Sequence, residues 1–119
     1  MSRIALVAGV LVSALALAAP IGATSSVTKL TGTVGPGFTI TLKKGTAKVK
    51  TLKAGSYKIT VNDKSNIHDF HLKGPGVNKV ITTTPFKGTK SVTVKLKKGK
   101  YTYVCDPHAS IMKGSFTVK

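Results

Sequence analysis

Apolar and polar residues alternate along most of this chain beyond its first two dozen positions. Phe38-Thr39-Ile40-Thr41-Leu42, Tyr57-Lys58-Ile59-Thr60-Val61 and Val92-Thr93-Val94-Lys95-Leu96-Lys97 alternate strictly. Tyr101-Thr102-Tyr103-Val104-Cys105 and Phe116-Thr117-Val118 continue the pattern. A period of two places every second side chain on one face of a β-strand. Threonine, valine and tyrosine, which favour strands, fill these runs. Asn66 to Leu72 reads as a further strand, with His68, Phe70 and Leu72 on its inward face and Asp69 and His71 on its outward face. No long segment carries helical spacing.

Turn signals separate the runs. Leu42-Lys43-Lys44-Gly45, Leu52-Lys53-Ala54-Gly55 and Leu96-Lys97-Lys98-Gly99 share one pattern, and a tyrosine follows the second and third glycines by two residues. The three are read as equivalent strand-turn-strand corners, with glycine taking the left-handed position. Gly35-Pro36-Gly37 and Gly74-Pro75-Gly76 mark two more loops. Residues 24 to about 30 read as a loose lead-in. Short strands at this spacing predict an all-β antiparallel sandwich or barrel in one domain.

The first residues follow a different rule. Arg3 precedes a near-continuous apolar run from Ile4 to Ala19, which Pro20 and Gly22 end. The run is shorter than the roughly 20 residues of a membrane-spanning helix and reads as a secretory signal. Cleavage after Ala23 divides the chain into a signal peptide at 1–23 and one domain at 24–119; an uncleaved anchor is the alternative. Export places the protein in the periplasm, the cell envelope or the extracellular space.

The formal net charge is +16, and apart from Arg3 every cation is a lysine. The acids are Asp63, Asp69 and Asp106. Such a field attracts anionic partners: acidic proteins, anionic lipids or nucleic acid. Most of the lysines alternate with apolar residues and line solvated strand faces. The absence of arginine from the mature chain argues against nucleic acid, because its planar fork is the usual reader of phosphate and guanine.

The chemistry is concentrated at Cys105-Asp106-Pro107-His108-Ala109-Ser110-Ile111-Met112. Cys105 is the only cysteine, and Met112 is the only methionine besides Met1. A lone cysteine cannot form an internal disulfide, and in an exported chain ligation protects it from oxidation. Parity brings Cys105 to the interior if Tyr101 and Tyr103 face the core. Asp106 caps and Pro107 opens a short helical turn that swings His108 and Met112 back toward the sulfur. Parity also selects His68 over His71, which is left as a surface histidine. Two histidines, a cysteine and a weak axial methionine form the blue-copper electron-transfer set.

The C-x-x-H-x-x-x-M loop, the upstream His-Asp-Phe segment and the alternating sandwich resemble the cupredoxins of the plastocyanin, pseudoazurin and amicyanin kind, over essentially all of the mature chain. The resemblance implies a Greek-key β-sandwich with one type 1 copper held by His68, Cys105, His108 and Met112. It implies one-electron transfer by a monomer that acts on no substrate and is not inserted in the membrane once its signal is removed, and the lysine field would speed encounter with an acidic redox partner. His108 would sit at the surface within an apolar patch made from Pro36, Pro107, Ala109 and Ile111. Two positions depart from the family. Three residues separate His108 from Met112, where amicyanin-like loops have two and plastocyanin-like loops four. Asp69 and Asp106 stand where an asparagine commonly ties the upstream strand to the residue after the cysteine, and two ionised carboxylates cannot share that place without cost. The rival readings are a copper carrier or buffer with the same ligands, a zinc site, and a cysteine hydrolase. Three histidines are too few for a multicopper enzyme.

Overall fold

The computed structural model describes residues 27–119, so the expected signal peptide at 1–23 and its expected cleavage site lie outside the described residues. Ten strands form two five-stranded sheets. They are β1 Thr28–Val34, β2 Ile40–Lys44, β3 Ala47–Lys48, β4 Thr51–Leu52, β5 Gly55–Asp63, β6 Phe70–Gly74, β7 Val77–Thr82, β8 Gly88–Leu96, β9 Gly99–Val104 and β10 Lys113–Val118. One sheet has the order β3-β2-β1-β5-β8 and the other β4-β10-β9-β6-β7. The all-β sandwich expected from the alternation is present. Most neighbours are antiparallel, but β1 pairs parallel with β5 and β4 parallel with β10. These parallel pairs arise because the chain crosses between the two sheets.

The inward faces of both sheets supply one core. Leu30, Val34, Leu42, Ile59, Val61, Phe70, Leu72, Leu96, Tyr101 and Tyr103 are all buried there, and Cys105 and Met112 belong to the same cluster. Phe70 stacks on Tyr103, and Tyr101 stacks on Phe116. Parity therefore carries Cys105 inward as β9 ends. Gly114, opposite Tyr103 in the β9–β10 ladder, leaves room for the tyrosine ring, which a Cβ there would enter.

Four sequence expectations change. Residues 24–30 are not all a lead-in: β1 begins at Thr28, and Leu30 is buried against the core. Asn66 to Asp69 precede β6 as a turn and loop, so the strand predicted over 66–72 begins only at Phe70. Phe38 lies before β2 and is exposed. The three glycine corners are two kinds. Gly45 is left-handed at φ 61°, whereas Gly55 and Gly99 open strands at φ 154° and 143°. In the second kind the tyrosine two residues on ties the corner. Tyr57 Oη donates to the Lys53 carbonyl at 2.6 Å, and Tyr101 Oη accepts from the Lys97 amide at 2.9 Å.

Burial of Leu30 gives a direct test of β1. Leu30→Ala should destabilise the domain by about 2–5 kcal/mol, the usual cost of truncating a core leucine. A denaturant melt would show it, and a change below about 0.5 kcal/mol would mean that the segment is surface lead-in after all.

Candidate metal centre

Four loops meet at one end of the sandwich: 35–39, 64–69, 83–87 and 105–112. The last joins β9 to β10 and is closed by its own backbone. The Cys105 amide donates to the Met112 carbonyl at 3.0 Å, and the Met112 amide donates to the His108 carbonyl at 2.9 Å. A 3-10 turn at Asp106–His108 fills the loop, with Pro107 in its first positions. Cys105 rather than Asp106 is the capping residue, and it caps with no side-chain hydrogen bond. The Asp106 carboxylate is engaged elsewhere.

The loop brings His108 beside Cys105, and the 64–69 loop brings His68 to both. The Cys105 sulfur lies 3.7 Å from His68 Nδ1 and 3.5 Å from His108 Nδ1, and the two nitrogens are 3.1 Å apart. A triangle with these sides has a centre about 2.0 Å from each corner, within the range of first-row metal–nitrogen and metal–thiolate bonds, roughly 2.0–2.3 Å. The donors and their spacing thus fit one ion that takes imidazole and thiolate together. Met112 is fully buried at the close of the same loop. His68 is inward, as expected, although a loop and not strand parity puts it there. Gly35, at φ 72°, makes room for it: a Cβ there would stand 3.1 Å from His68 Cδ2.

Two residues contribute that sequence reasoning assigned elsewhere. Phe38 covers both imidazoles edge-on, with ring centroids 5.5 Å from His68 and 4.9 Å from His108. Its place in the alternating run 38–42 predicts a strand residue, but it lies in the loop before β2. His71 points away from the core but is no idle surface histidine. Its Nδ1 lies 2.8 Å from Asp106 Oδ2, and its Nε2 meets Asn78 Oδ1 on β7. The one available signal was its place two residues after Asp69 on the outward face.

His71 also resolves the two carboxyl groups. Asp69 is buried, and its Oδ1 accepts the Asp106 amide at 2.6 Å. Burial, with a hydrogen bond to the Asp106 side chain, pushes Asp69 up to about 6. Burial would raise Asp106 as well, but its hydrogen bonds to Asp69 and His71, with the charges of His71 and Lys73, hold it below the usual range. Asp69 therefore takes the proton more readily and Asp106 keeps the charge. Asp69 also reaches the sulfur, since its amide donates to Cys105 Sγ at 3.4 Å. Burial raises the Cys105 thiol, while the backbone donors at Asp69 and His108 oppose that shift. A metal that takes the thiolate must displace this proton.

The profile of the copper binding proteins, plastocyanin/azurin family, matches residues 36–119. The chain belongs to this family. It is a cupredoxin, with one type 1 copper as its cofactor. A rusticyanin crystal structure is 22% identical with TM-score 0.55, covering 76% of each chain. A reduced rusticyanin is 26% identical with TM-score 0.51, covering 76% of this chain and 78% of that one. A chain of a heme-copper terminal oxidase dimer is 21% identical with TM-score 0.54, covering 76% of this chain and 63% of that one. Among curated protein sequences none matches.

The carboxyl pair sets a pH dependence for the metal-free protein. Asp69 holds its proton more tightly folded than unfolded, so its contribution favours folding at low pH and is lost as pH rises from 3.8 to about 6. Asp106, shifted down, contributes in the opposite sense, and that contribution is lost only as pH falls below this window. Urea midpoints measured across the window should fall with pH in the wild type and stay flatter in Asp69→Asn. Equal slopes would remove Asp69 as the titrating group.

Proposed function

We propose that the protein is an exported one-electron carrier whose copper is held by His68, Cys105 and His108, with Met112 as the weak axial donor. The supporting observation is an asymmetry of burial. His68, Cys105 and Met112 are fully buried, and only His108 reaches the surface. An electron relay needs a site closed to exchange but open to contact at one edge.

A bound copper supplies the one-electron couple between Cu(I) and Cu(II). The protein supplies the rest. The Asp69 amide faces the sulfur and favours its anionic form. The core seals His68 from water, and Phe38 packs edge-on against both imidazoles. The loop's own backbone bonds hold Cys105 and Met112 in fixed register, so the donors have little need to rearrange between oxidation states. His108 offers its ring edge to a partner among exposed apolar side chains. Phe38 at 56%, Ile67 at 49% and Ile111 at 63% exposure belong to the loops of this end. They extend the patch anticipated from Pro36, Pro107, Ala109 and Ile111. Lys64, Lys87 and Lys113 belong to the same end and would meet an acidic rim on the partner.

The upward shift of the Cys105 thiol runs against a hydrolase, whose nucleophile needs a lowered one. The buried donors run against a carrier that must release its metal.

Copper-loaded protein should show an intense thiolate-to-Cu(II) absorption, which Cys105→Ser abolishes. His68→Ala should lower copper affinity well beyond the 10–100-fold typical of an outer-shell change, and His71→Ala should stay within about that range. Met112→Gln should retain copper and shift its potential. Fast electron exchange with a small mediator and slow loss of Cu(I) to a chelator would match a relay. Rapid Cu(I) release with sluggish exchange would move the assignment to a copper carrier. A colourless protein that holds zinc and refuses copper would end it.

A further inference from the structure

The two ends of the sandwich differ in charge. The four loops at the donor end carry only Lys64 and Lys87. All three acids of the chain lie at this end: Asp63 closes β5, Asp69 precedes β6 and Asp106 follows β9. The opposite end carries Lys50, Lys53, Lys97, Lys98 and Lys119, all exposed and with no acid among them. Backbone contacts draw these segments together. The Lys119 amide donates to the Leu52 carbonyl at 2.9 Å, the Ala54 amide to the Lys119 carbonyl at 3.2 Å, and Gly99 abuts Pro75. The nine residues of β5 span the distance between the ends, roughly 30 Å at 3.4 Å per residue. That is several times the Debye length of about 8 Å, so the two ends act separately at physiological salt.

A second observation points the same way. β1 starts at Thr28, opposite Tyr57 and next to the Lys53 corner. The chain therefore enters the domain at the lysine end. The uncharged apolar run of residues 4–19 precedes that entry by only residues 20–27, which reach less than about 30 Å even when fully extended. In a chain that keeps this run as an uncleaved anchor, the surface that receives it lies on the side of the lysines.

We propose that this lysine pole docks on an anionic lipid surface, leaving the His68–Cys105–His108 end turned toward the aqueous phase. The occupant follows from the chemistry of the pole. It offers flexible ammonium groups spread over several turns and no arginine fork, which suits a diffuse layer of headgroup charge better than a single bound phosphate. Each lysine at such a surface contributes on the order of a fivefold gain in binding. The inference is independent of the metal and of the redox assignment.

The test compares two full-length variants of equal net charge. One carries Lys53, Lys97, Lys98 and Lys119→Glu, and the other Lys64, Lys87, Lys90 and Lys113→Glu. Co-sedimentation is measured with vesicles of mixed phosphatidylglycerol and phosphatidylcholine, and with phosphatidylcholine alone as the baseline for the apolar run. The first variant should lose at least about 100-fold of the charge-dependent partitioning, and the second less than about fivefold. Lys→Gln at the first four positions should give a smaller loss of the same sign, which keeps the test valid if the Glu variant folds poorly. Equal losses in the two sets would show attraction by net charge without a docking pole. Unchanged vesicle binding in the first set would overturn the proposal and leave the pole to an acidic protein.

Discussion

The hydrogen bond from the Cys105 amide to the Met112 carbonyl holds the donor end together. It makes the 105–112 loop the last rung of the β9–β10 ladder, so the core that fixes those strands also fixes the loop. Tyr101 on β9 stacks on Phe116 of β10 within that core, and Tyr103 packs against the same ring at a tilt. Cys105 inherits the phase of β9, and its sulfur emerges at the inner edge of the sandwich. His108 follows one 3-10 turn later, too close in sequence to lie anywhere but beside the sulfur. Only His68 has to be delivered from elsewhere, by a loop that packs under Gly35.

A polar bracket secures that delivery. Asp69 donates its amide to the sulfur and accepts the Asp106 amide, so one residue links the His68 loop to the Cys105 loop twice. Asp106 in turn meets His71 on β6, which meets Asn78 on β7. The chain of contacts runs from the sulfur across two strands of one sheet. It relieves the two carboxyl groups by giving them different tasks. Asp69 is raised by burial, while Asp106 is kept ionised by its partners. The acids thus serve the donor end, which leaves the lysines of the far end without opposing charge.

Much of this was legible in the residues because sheet geometry is periodic. Alternation identified β5, β8, β9 and β10, and carried Cys105 inward with the tyrosines. The donor spacing in 105–112 anticipated that Cys105 and His108 meet. The misses share a cause: they depend on contacts that no local period encodes. β1 is threonine-rich and carries Gly32 at an inward position, and only the burial of Leu30 and Val34 reveals it. Residues 66–69 alternate like a strand yet have no ladder partner, since β6 pairs with β9 and β7 only from Phe70 or His71 onward. Phe38 extends an alternating run but turns outward over the imidazoles. His71 was judged by the face it occupies, and that face is where Asp106 waits. Gly55 and Gly99 share a motif with Gly45 but not a conformation, because each begins a strand beside a tyrosine anchor.

The protein's own backbone contacts between the 64–69 and 105–112 loops hold the donor triangle in place. Crystal structures of the metal-stripped and copper-loaded forms of the same protein test it most directly. The Cys105 sulfur and the two Nδ1 atoms should keep their places to within about 0.5 Å, the tolerance of a preorganised site, with the Cys105–Met112 backbone bond present in both. A metal-free form in which residues 105–112 refold, or in which His68 swings away from the sulfur, would contradict it.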